Sequence, residues 1–309
     1  MAEREPLLKV RGLKQYFRIS GGYTVRAVDG VDFEIYPGET YGLVGESGSG
    51  KSTIGRSLIR LYKPTAGQII FNGMDISGRM TRNVTTQLRT QMQMIFQDPM
   101  ASLNPRKKVG EIIAQGLDIH GLCSSRAERE ARVAEMLQKV GLAPEHADRY
   151  PHQFSGGQRQ RVGIARALIM NPKLVIADEC ISALDVSIQA QVVNLMKDLQ
   201  DQTGTAYLFI AHDLSMVKYI SDRIGVLHLG HLVETGTTDE IFENPIHPYT
   251  QSLLSAIPRP NPRVEKARVS QSYDYKAMGV DYTKGTLHHA GGQHYVLATE
   301  EEFRRWTGA

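Results

Sequence analysis

TYGLVGESGSGKST, residues 40–53, is the stretch that decides the fold. Its first five residues predict a short buried strand, and Ile54, Leu58 and Leu61 recur at helical spacing after it. Between strand and helix, Gly45–Ser52 matches the phosphate-binding loop pattern G-x-x-x-x-G-K-[ST]. Its glycines let backbone N–H groups turn toward phosphate oxygens, and the helix start adds its positive end. The stretch therefore predicts a nucleoside triphosphate bound at a strand–loop–helix unit of an α/β fold.

Two side chains of this loop have expected roles at the triphosphate. Lys51 should reach the β- and γ-phosphates, and the Ser52 hydroxyl should bind Mg²⁺. The residues predicted to bind the nucleotide are Gly45, Glu46, Ser47, Gly48, Ser49, Gly50, Lys51, Ser52 and Thr53.

Lys173–Glu179, KLVIADE, predicts a second buried strand that ends in two carboxylates. Ligands of open α/β sheets bind at the carboxyl ends of the strands. Asp178 is therefore expected to hold Mg²⁺, and Glu179 to polarise the attacking water as a general base. Taken alone, two solvated carboxylates that cap the next helix are an equal alternative. The phosphate loop upstream favours the catalytic interpretation.

Phe154–Gln158, FSGGQ, is a second glycine-rich loop of the anion-binding kind. One chain does not need two triphosphate cradles for one ligand. A second cradle makes sense if it closes on the nucleotide held by a partner chain.

Together these motifs resemble the ATPase subunits of ABC transporters over roughly residues 7–258. The resemblance implies that Gln97 touches Mg²⁺ and the attacking water. It also implies that His212, after the predicted strand Tyr207–Ala211, contacts the γ-phosphate, although a strand-end histidine is the usual alternative. The resemblance also implies that five residues of this chain face the partner ATPase and the nucleotide it holds: Ser155, Gly156, Gly157, Gln158 and Asp185.

The same family stacks an aromatic side chain near the N-terminus on adenine. Phe17 is the preferred residue and Tyr16 the alternative. Ordinary strand packing remains a further explanation for both rings.

Asn244–Thr250, NPIHPYT, narrows the resemblance to the oligopeptide/dipeptide importer ATPases. The stretches 95–105 and 182–187 also fit that branch, and residues 292–299 resemble the tail of its F-type subunit. For His247–Thr250 we expect a proline-fixed turn that docks a helix and touches no ligand. The motif then identifies the family rather than a chemical site.

Cysteine usage departs from some relatives in two ways. Cys180 stands where many carry proline after the catalytic glutamate, and the local turn is expected to change without loss of activity. Some relatives bind an iron–sulfur cluster through C-terminal cysteines, but no cysteine follows Cys180, so none is expected here. Cys123 and Cys180 are the only cysteines, which fits a reducing compartment without a disulfide framework.

Composition and charge limit the classes of partner that this chain is expected to bind. The net charge of +3, from 36 basic and 33 acidic residues, is too balanced to argue for nucleic acid. No stretch approaches the roughly 18–20 apolar residues that cross a bilayer, and the N-terminus lacks a signal-peptide run. If the chain drives transport, other chains must therefore form the pore.

The fold class expected from the resemblance is α/β. It comprises a RecA-like P-loop ATPase core with an antiparallel β subdomain and an inserted α-helical subdomain at about residues 98–160. The ATPase domain should cover 7–258, and a small C-terminal extension 259–309. The extension begins at a proline-rich linker, 258–263. Its remainder, 264–309, is polar and tyrosine-rich with little periodicity, which predicts a partly ordered tail.

The resemblance implies an ATP-hydrolysing subunit that powers peptide import. It would lie peripherally on the cytoplasmic face of the membrane. Implied partners are a homologous D-type ATPase in a heterodimer, two transmembrane permeases whose coupling helices enter the helical segment after Gln97, and an extracytoplasmic peptide-binding protein.

Three alternatives stay open from the sequence. One is the same motor for nickel or another small solute. A second is a soluble ABC ATPase acting on DNA or ribosomes, which the lack of long insertions or a second cassette disfavours. The third is a nucleotide-binding regulator without turnover, which intact Glu179 and His212 disfavour.

Overall fold

A computed structural model of the chain describes residues 5–19, 21–257 and 273–308. The strands, in chain order, are β1 (Leu8–Arg18), β2 (Thr24–Ile35), β3 (Thr40–Val44), β4 (Ala66–Phe71), β5 (Met74–Asp75), β6 (Met92–Ile95), β7 (Leu174–Asp178), β8 (Ala206–Ile210), β9 (Arg223–His228), β10 (His231–Thr237), β11 (Thr286–Gly291) and β12 (His294–Ala298). The α-helices are α1 (Lys51–Leu58), α2 (Arg82–Gln91), α3 (Pro99–Ser102), α4 (Val109–His120), α5 (Arg126–Lys139), α6 (Gly156–Leu168), α7 (Val186–Thr203), α8 (Leu214–Ile220), α9 (Thr238–Glu243), α10 (Pro248–Ser255) and α11 (Glu300–Thr307).

The larger sheet has the strand order β11-β12-β10-β9-β3-β8-β7-β6. Within it, β3 pairs in parallel with β8 and β9, and β7 pairs in parallel with β6 and β8. Every residue of β3, β7 and β8 is buried, as expected of parallel strands covered on both faces. Because parallel strands end at one edge of the sheet, the residues that follow β3, β6, β7 and β8 are brought together there.

The smaller sheet is antiparallel, in the order β2-β1-β4-β5. Its inward side chains form one apolar cluster with β3 and α1, so this sheet covers one side of the strand–loop–helix unit. Fully buried members include Leu13, Ile35, Phe71, Leu43 and Ile54. Each such side chain contributes about 1.5–3 kcal/mol relative to exposure, which fixes α1 firmly against the sheet.

The chain between β6 and β7 is helical in its regular structure. The apolar stripe of α5 faces inward: Val133, Met136 and Leu137 are buried with Val140. Ser125 caps this helix, since its hydroxyl accepts from the Glu128 N–H at 3.2 Å. The Glu128 carboxylate in turn accepts from Ser124 and not from Ser125.

The C-terminal part of the chain contains more regular structure than its weak periodicity indicates. β11 and β12 form a hairpin, and β12 adds to the large sheet by pairing antiparallel with β10. Only His294, Val296 and Ala298 of β12 face inward and are buried, and the first of these is polar. A five-residue strand with a buried histidine gives little alternation to detect. The linker 258–263 and residues 264–272 lie outside the described residues.

Within the described ranges, no helix combines the length and apolarity needed to cross a membrane.

Candidate nucleotide-binding and hydrolysis site

The phosphate loop connects β3 to α1, and three of its glycines have positive φ: Gly45 at 150°, Gly48 at 83° and Gly50 at 110°. A Cβ on Gly45 would lie 2.1 Å from the Leu227 carbonyl oxygen, and one on Gly50 would lie 2.3 Å from that of Ala27. These two glycines therefore allow close backbone packing. A Cβ on Gly48 would meet nothing within 4 Å, so this glycine lines open space on the cradle side.

Lys51 lies at the centre of the loop and is only 4% exposed. Its Nζ donates to the carbonyl oxygens of Gly45 at 2.7 Å and Glu46 at 2.8 Å. Burial lowers the pKa of Lys51, while the Glu179 carboxylate, 3.9 Å from Nζ, opposes this shift. The lysine thus holds the loop in its curved form and brings a positive charge to the cradle.

Ser52 and Asp178 form a pair that fits a hard cation. The Ser52 hydroxyl donates to Asp178 Oδ1 at 2.6 Å. Burial raises the pKa of Asp178, and its Oδ2 is buried with no hydrogen-bond partner among the described residues. The Arg56 guanidinium is the nearest ion-pair partner of that oxygen, at 3.8 Å. Carboxylate and hydroxyl oxygens are ligands that Mg²⁺ prefers, so the residues present fit this ion.

The other two predicted catalytic residues, Gln97 and His212, lie next to Glu179. Its Oε2 accepts from Gln97 Nε2 at 2.8 Å and lies 4.0 Å from His212 Nδ1. Its backbone has φ of 45°, in the left-handed region that non-glycine residues rarely adopt. Ser182 holds this turn by donating both its N–H and its hydroxyl to the Glu179 carbonyl oxygen, at 3.1 and 2.9 Å. The strained turn aims the carboxylate at the neighbouring strand ends.

His212 follows β8 and is half-exposed, with 57% of its side chain accessible. It is too far from Glu179 for a hydrogen bond, so it lies at the open side of the site. The alternative of a satisfied core histidine is disfavoured, because the ring is not enclosed.

Cys180 is buried directly after Glu179. Burial raises the pKa of its thiol to about 12. The side chain is therefore an uncharged packing residue and not a nucleophile.

The second glycine-rich loop begins α6 and caps itself. The Ser155 hydroxyl accepts from the Gln158 N–H at 3.3 Å, and Gln158 Oε1 accepts from the Ser155 N–H at 3.0 Å. Ser155 is exposed. Over the residues that the structure describes, no hydrogen bond or ion pair joins this loop to the phosphate loop of the same chain.

The two glycines of this loop differ in their surroundings. A Cβ on Gly157 would lie 2.7 Å from Ile188 Cγ2 of α7, so a larger residue there disturbs the chain itself. A Cβ on Gly156 would meet only Leu184, at an ordinary 3.7 Å. Asp185, at the N-cap position of α7, is also exposed and its side chain makes no capping hydrogen bond.

The two candidate adenine-stacking rings have different partners. The Tyr16 hydroxyl donates to Asp29 at 2.5 Å, and the Arg26 guanidinium lies 5.5 Å from the ring centre. Phe17 is half-buried and makes only an edge contact with Tyr62, at 5.2 Å between ring centres. Because Tyr16 is engaged by polar partners, Phe17 stays the predicted stacking residue.

Sequence reasoning missed one residue at the site, Tyr249. Its hydroxyl accepts from the Glu46 N–H of the phosphate loop at 2.9 Å. His247–Thr250, expected to be a proline-fixed turn that docks a helix, forms the start of α10 with His247 as its N-cap. The motif nevertheless does more than dock a helix. No local pattern signals this contact, since the two residues are 203 positions apart.

Two family profiles match this chain. The profile of the ABC transporter family matches residues 28–182, and that of the oligopeptide/dipeptide transporter C-terminal region matches residues 233–279.

Curated relatives match over nearly the whole chain. The oligopeptide transport ATP-binding protein OppF of Bacillus subtilis (strain 168) is 59% identical, covering 98% of this chain and 99% of its own length. The dipeptide transport ATP-binding protein DppF of Lactococcus lactis subsp. cremoris (strain MG1363) is 52% identical, covering 98% of this chain and 97% of its own length.

Solved structures match the cassette. One is a dimeric structure of a bacterial ABC transporter cassette, with 29% identity and a TM-score of 0.68, covering 75% of this chain and 98% of that chain. Another is cbiO1 from Clostridium perfringens, part of the ABC transporter complex cbiONQ, with 26% identity and a TM-score of 0.69, covering 85% of this chain and 98% of that chain.

Proposed function

This chain belongs to the ABC transporter family and to its oligopeptide/dipeptide branch, and we propose that it works as one of two ATPase chains bound to membrane permeases. It binds and hydrolyses ATP to power peptide import. The observation that carries this proposal is the convergence of Lys51, Ser52, Asp178 and Glu179 at one edge of the parallel strands. The residues proposed for phosphate binding, metal binding and general-base catalysis all lie within this cluster.

The chain's own residues define the chemistry. Mg²⁺ beside ATP supplies charge neutralisation at the phosphates, and Ser52 and Asp178 are the residues that would hold it. Lys51 turns its ammonium group to phosphate oxygens. Glu179 accepts a proton from the attacking water, while the Gln97 amide, already hydrogen-bonded to Oε2, fixes the direction of the carboxylate. His212 would contact the γ-phosphate from the open side of the site.

Pairing with a second ATPase is supported by the self-capped loop at the start of α6. Its Ser155 is exposed and its two glycines are half-buried, and the loop lies at the positive end of a 13-residue helix. They would complete the cradle around the partner's ATP, and Asp185 would lie at the same interface. We propose a heterodimer with a homologous D-type subunit, since this chain is similar to relatives named OppF and DppF.

A groove beside Gln97 supports contact with the permeases. This cavity of about 370 Å³ lies between α2, β6 and α4, and Phe96 and Met170 are among its lining residues. Two further lining residues are strongly exposed apolar side chains, Leu61 at 58% and Ile119 at 68%. A groove of this kind fits an amphipathic helix, which the permeases would supply from the cytoplasmic side of the membrane. The extracytoplasmic peptide-binding protein would meet this chain only through them.

The test is purification of the tagged chain from its native membranes with identification of every associated chain. We expect two hydrophobic permeases and one homologous ATPase. The variant Ile119→Glu should lose the permeases, whereas Leu287→Glu, an equivalent change at another exposed residue, should retain them. Recovery of nucleic acid without permeases, or equal permease recovery with both variants, would contradict the proposal.

A further inference from the structure

Tyr249 contacts the phosphate loop from outside the ATP cradle. It is 1% exposed, and its hydroxyl is the acceptor for the Glu46 N–H. Burial raises the pKa of Tyr249, so the phenol stays protonated and neutral at physiological pH. The contact fixes the direction of the peptide group between Gly45 and Glu46. That peptide group is next to the Glu46 carbonyl that accepts from Lys51, so Tyr249 and Lys51 hold the two sides of one residue.

A cluster of histidine and tyrosine rings fixes Tyr249 in turn; we call it the ring cluster, and it consists of Tyr249, His228, His247, Tyr273 and Tyr282. His228 packs on Tyr249 with 4.1 Å between ring centres, and Tyr273 lies 5.5 Å away. His228 Nδ1 and the Tyr282 hydroxyl are 2.5 Å apart, and the hydroxyls of Tyr282 and Tyr273 are 3.1 Å apart. Two of the five rings therefore come from residues 273–308.

A second connection joins the same C-terminal residues to the helix that carries Tyr249. His294 Nε2 lies 2.7 Å from Glu234 Oε1, and both side chains are buried. The Glu234 carboxylate also accepts from the N–H groups of Ile246 and His247, at 2.7 and 3.2 Å. The start of α10, and with it Tyr249, is thus held to β12 through one carboxylate.

We propose that Tyr249 is a positioning residue for ATP binding and that residues 273–308 act on the phosphate loop through it. The inference rests on the proposed function in one respect only, namely that this loop binds ATP. It assigns to the C-terminal extension a part in nucleotide affinity, beyond the residues that touch ATP. Because Tyr249 acts through the loop backbone, its loss should change affinity for ATP and leave the catalytic carboxylate in place.

The experiment is a double-mutant cycle on the full-length chain, read as the Kd for ATP by titration calorimetry. Tyr249→Phe removes only the hydroxyl and should raise the Kd about fivefold, the effect of one such hydrogen bond. Tyr282→Phe breaks the contact with His228 and should raise the Kd by a smaller factor. The double variant should bind no more weakly than Tyr249→Phe alone, since both changes act through one contact.

Tyr41→Phe is the matched control. It also removes a buried hydroxyl with a hydrogen-bond partner, Thr235 at 2.9 Å, but this pair is not in the phosphate loop. It should lower thermal stability similarly and leave the Kd for ATP unchanged. In the complete transporter, Tyr249→Phe should raise KM for ATP with little change in kcat.

Two results would overturn the inference. One is an equal Kd for Tyr249→Phe and Tyr41→Phe, and the other is full additivity of the Tyr249 and Tyr282 changes. If Tyr249→Phe does not fold, hydrogen exchange of the Glu46 amide is compared between the unaltered chain and Tyr282→Phe. Unprotected exchange in the unaltered chain, or equal protection in the two chains, would also overturn the inference. Failure of the unaltered chain to bind ATP would contradict the proposed function itself, whereas the amide-exchange comparison would still test the Tyr249–Glu46 contact.

Discussion

The phosphate loop and the Ser155–Gln158 loop use the same local chemistry in opposite surroundings. Both combine glycines with the N-terminus of a helix, which presents N–H groups and a positive end to an anion. The phosphate loop is enclosed by its own chain: Lys51 is 4% exposed, and Tyr249 holds the loop from behind. The other loop is capped by the reciprocal hydrogen bonds of Ser155 and Gln158, and Ser155 is exposed.

The comparison shows that a glycine-rich helix start does not by itself make a complete site. The lysine, the Ser52–Asp178 pair and the general base must converge on it, and the parallel strands bring them only to the phosphate loop. Among the described residues, the loop at the start of α6 lacks these partners in its own chain, which agrees with our proposal that it is the second half of a site.

The largest expected effect separates chemistry from binding at the phosphate loop. Glu179→Gln should lower ATP turnover at least about 100-fold, because an amide cannot accept the proton of water. The Kd for ATP should stay within about twofold, since size and polarity are kept. Turnover is measured by phosphate release with the partner's site disabled. Comparable turnover in variant and unaltered chain would show that Glu179 is not the base.

Lys51→Ala should weaken ATP binding about 10- to 100-fold, because it removes a charge-assisted contact with the phosphates. The measurement is the Kd of the isolated chain. Lys139→Ala is the control, since Lys139 pairs with Glu135 on α5 outside the phosphate site. An affinity loss limited to that of the control would remove Lys51 from the site.

Gly156→Ala tests the second loop of this comparison, the one at the start of α6. The added methyl fits within the chain but projects near the surface that should meet the partner's nucleotide. We expect ATP-dependent pairing to weaken about tenfold while the Kd of the isolated chain is unchanged. Gly163→Ala, in the same helix and with no heavy atom within 4 Å of the new carbon, should affect neither quantity. Reduced ATP affinity of the isolated Gly156→Ala chain would place both loops at one site.

The last prediction concerns the pH dependence of stability and the ring cluster behind the phosphate loop. Burial lowers the pKa of His228 to about 4 and that of His247 to about 3, from an ordinary value of 6.5. Between those values the unfolded chain binds more protons, so stability is complete above about pH 6.5 and falls as pH decreases toward 4. For fully buried His247 the loss is about 2 kcal/mol at pH 5.

The variant His247→Asn tests this assignment. Asparagine can cap α10 as the imidazole does but has no proton to gain in this range. Its melting temperature should therefore depend less on pH between 7 and 5 than that of the unaltered chain. Parallel curves for the two chains would show that His247 does not contribute.

Much of the site was predictable because its signals are local. The buried run of Thr40–Val44 forms the predicted strand at the predicted residues, and Lys173–Glu179 contains β7. Alternation and helical spacing act over a few residues, so they can be detected without knowledge of the fold. A role for Gln97 at Mg²⁺ and the attacking water was expected only from the family resemblance; its contact with Glu179, 2.8 Å between Nε2 and Oε2, was not predicted.

By itself the sequence determined the phosphate loop, the strand that ends in Asp178 and Glu179, and the second loop at Ser155, because each depends on neighbouring residues. Only the tertiary structure decided that Tyr249 meets the Glu46 N–H and that β12 extends the large sheet through β10. The physical reason is that a backbone N–H donates to whichever oxygen the path of the chain brings to it. Side-chain type and spacing say which groups need partners, while the packing of distant segments selects them.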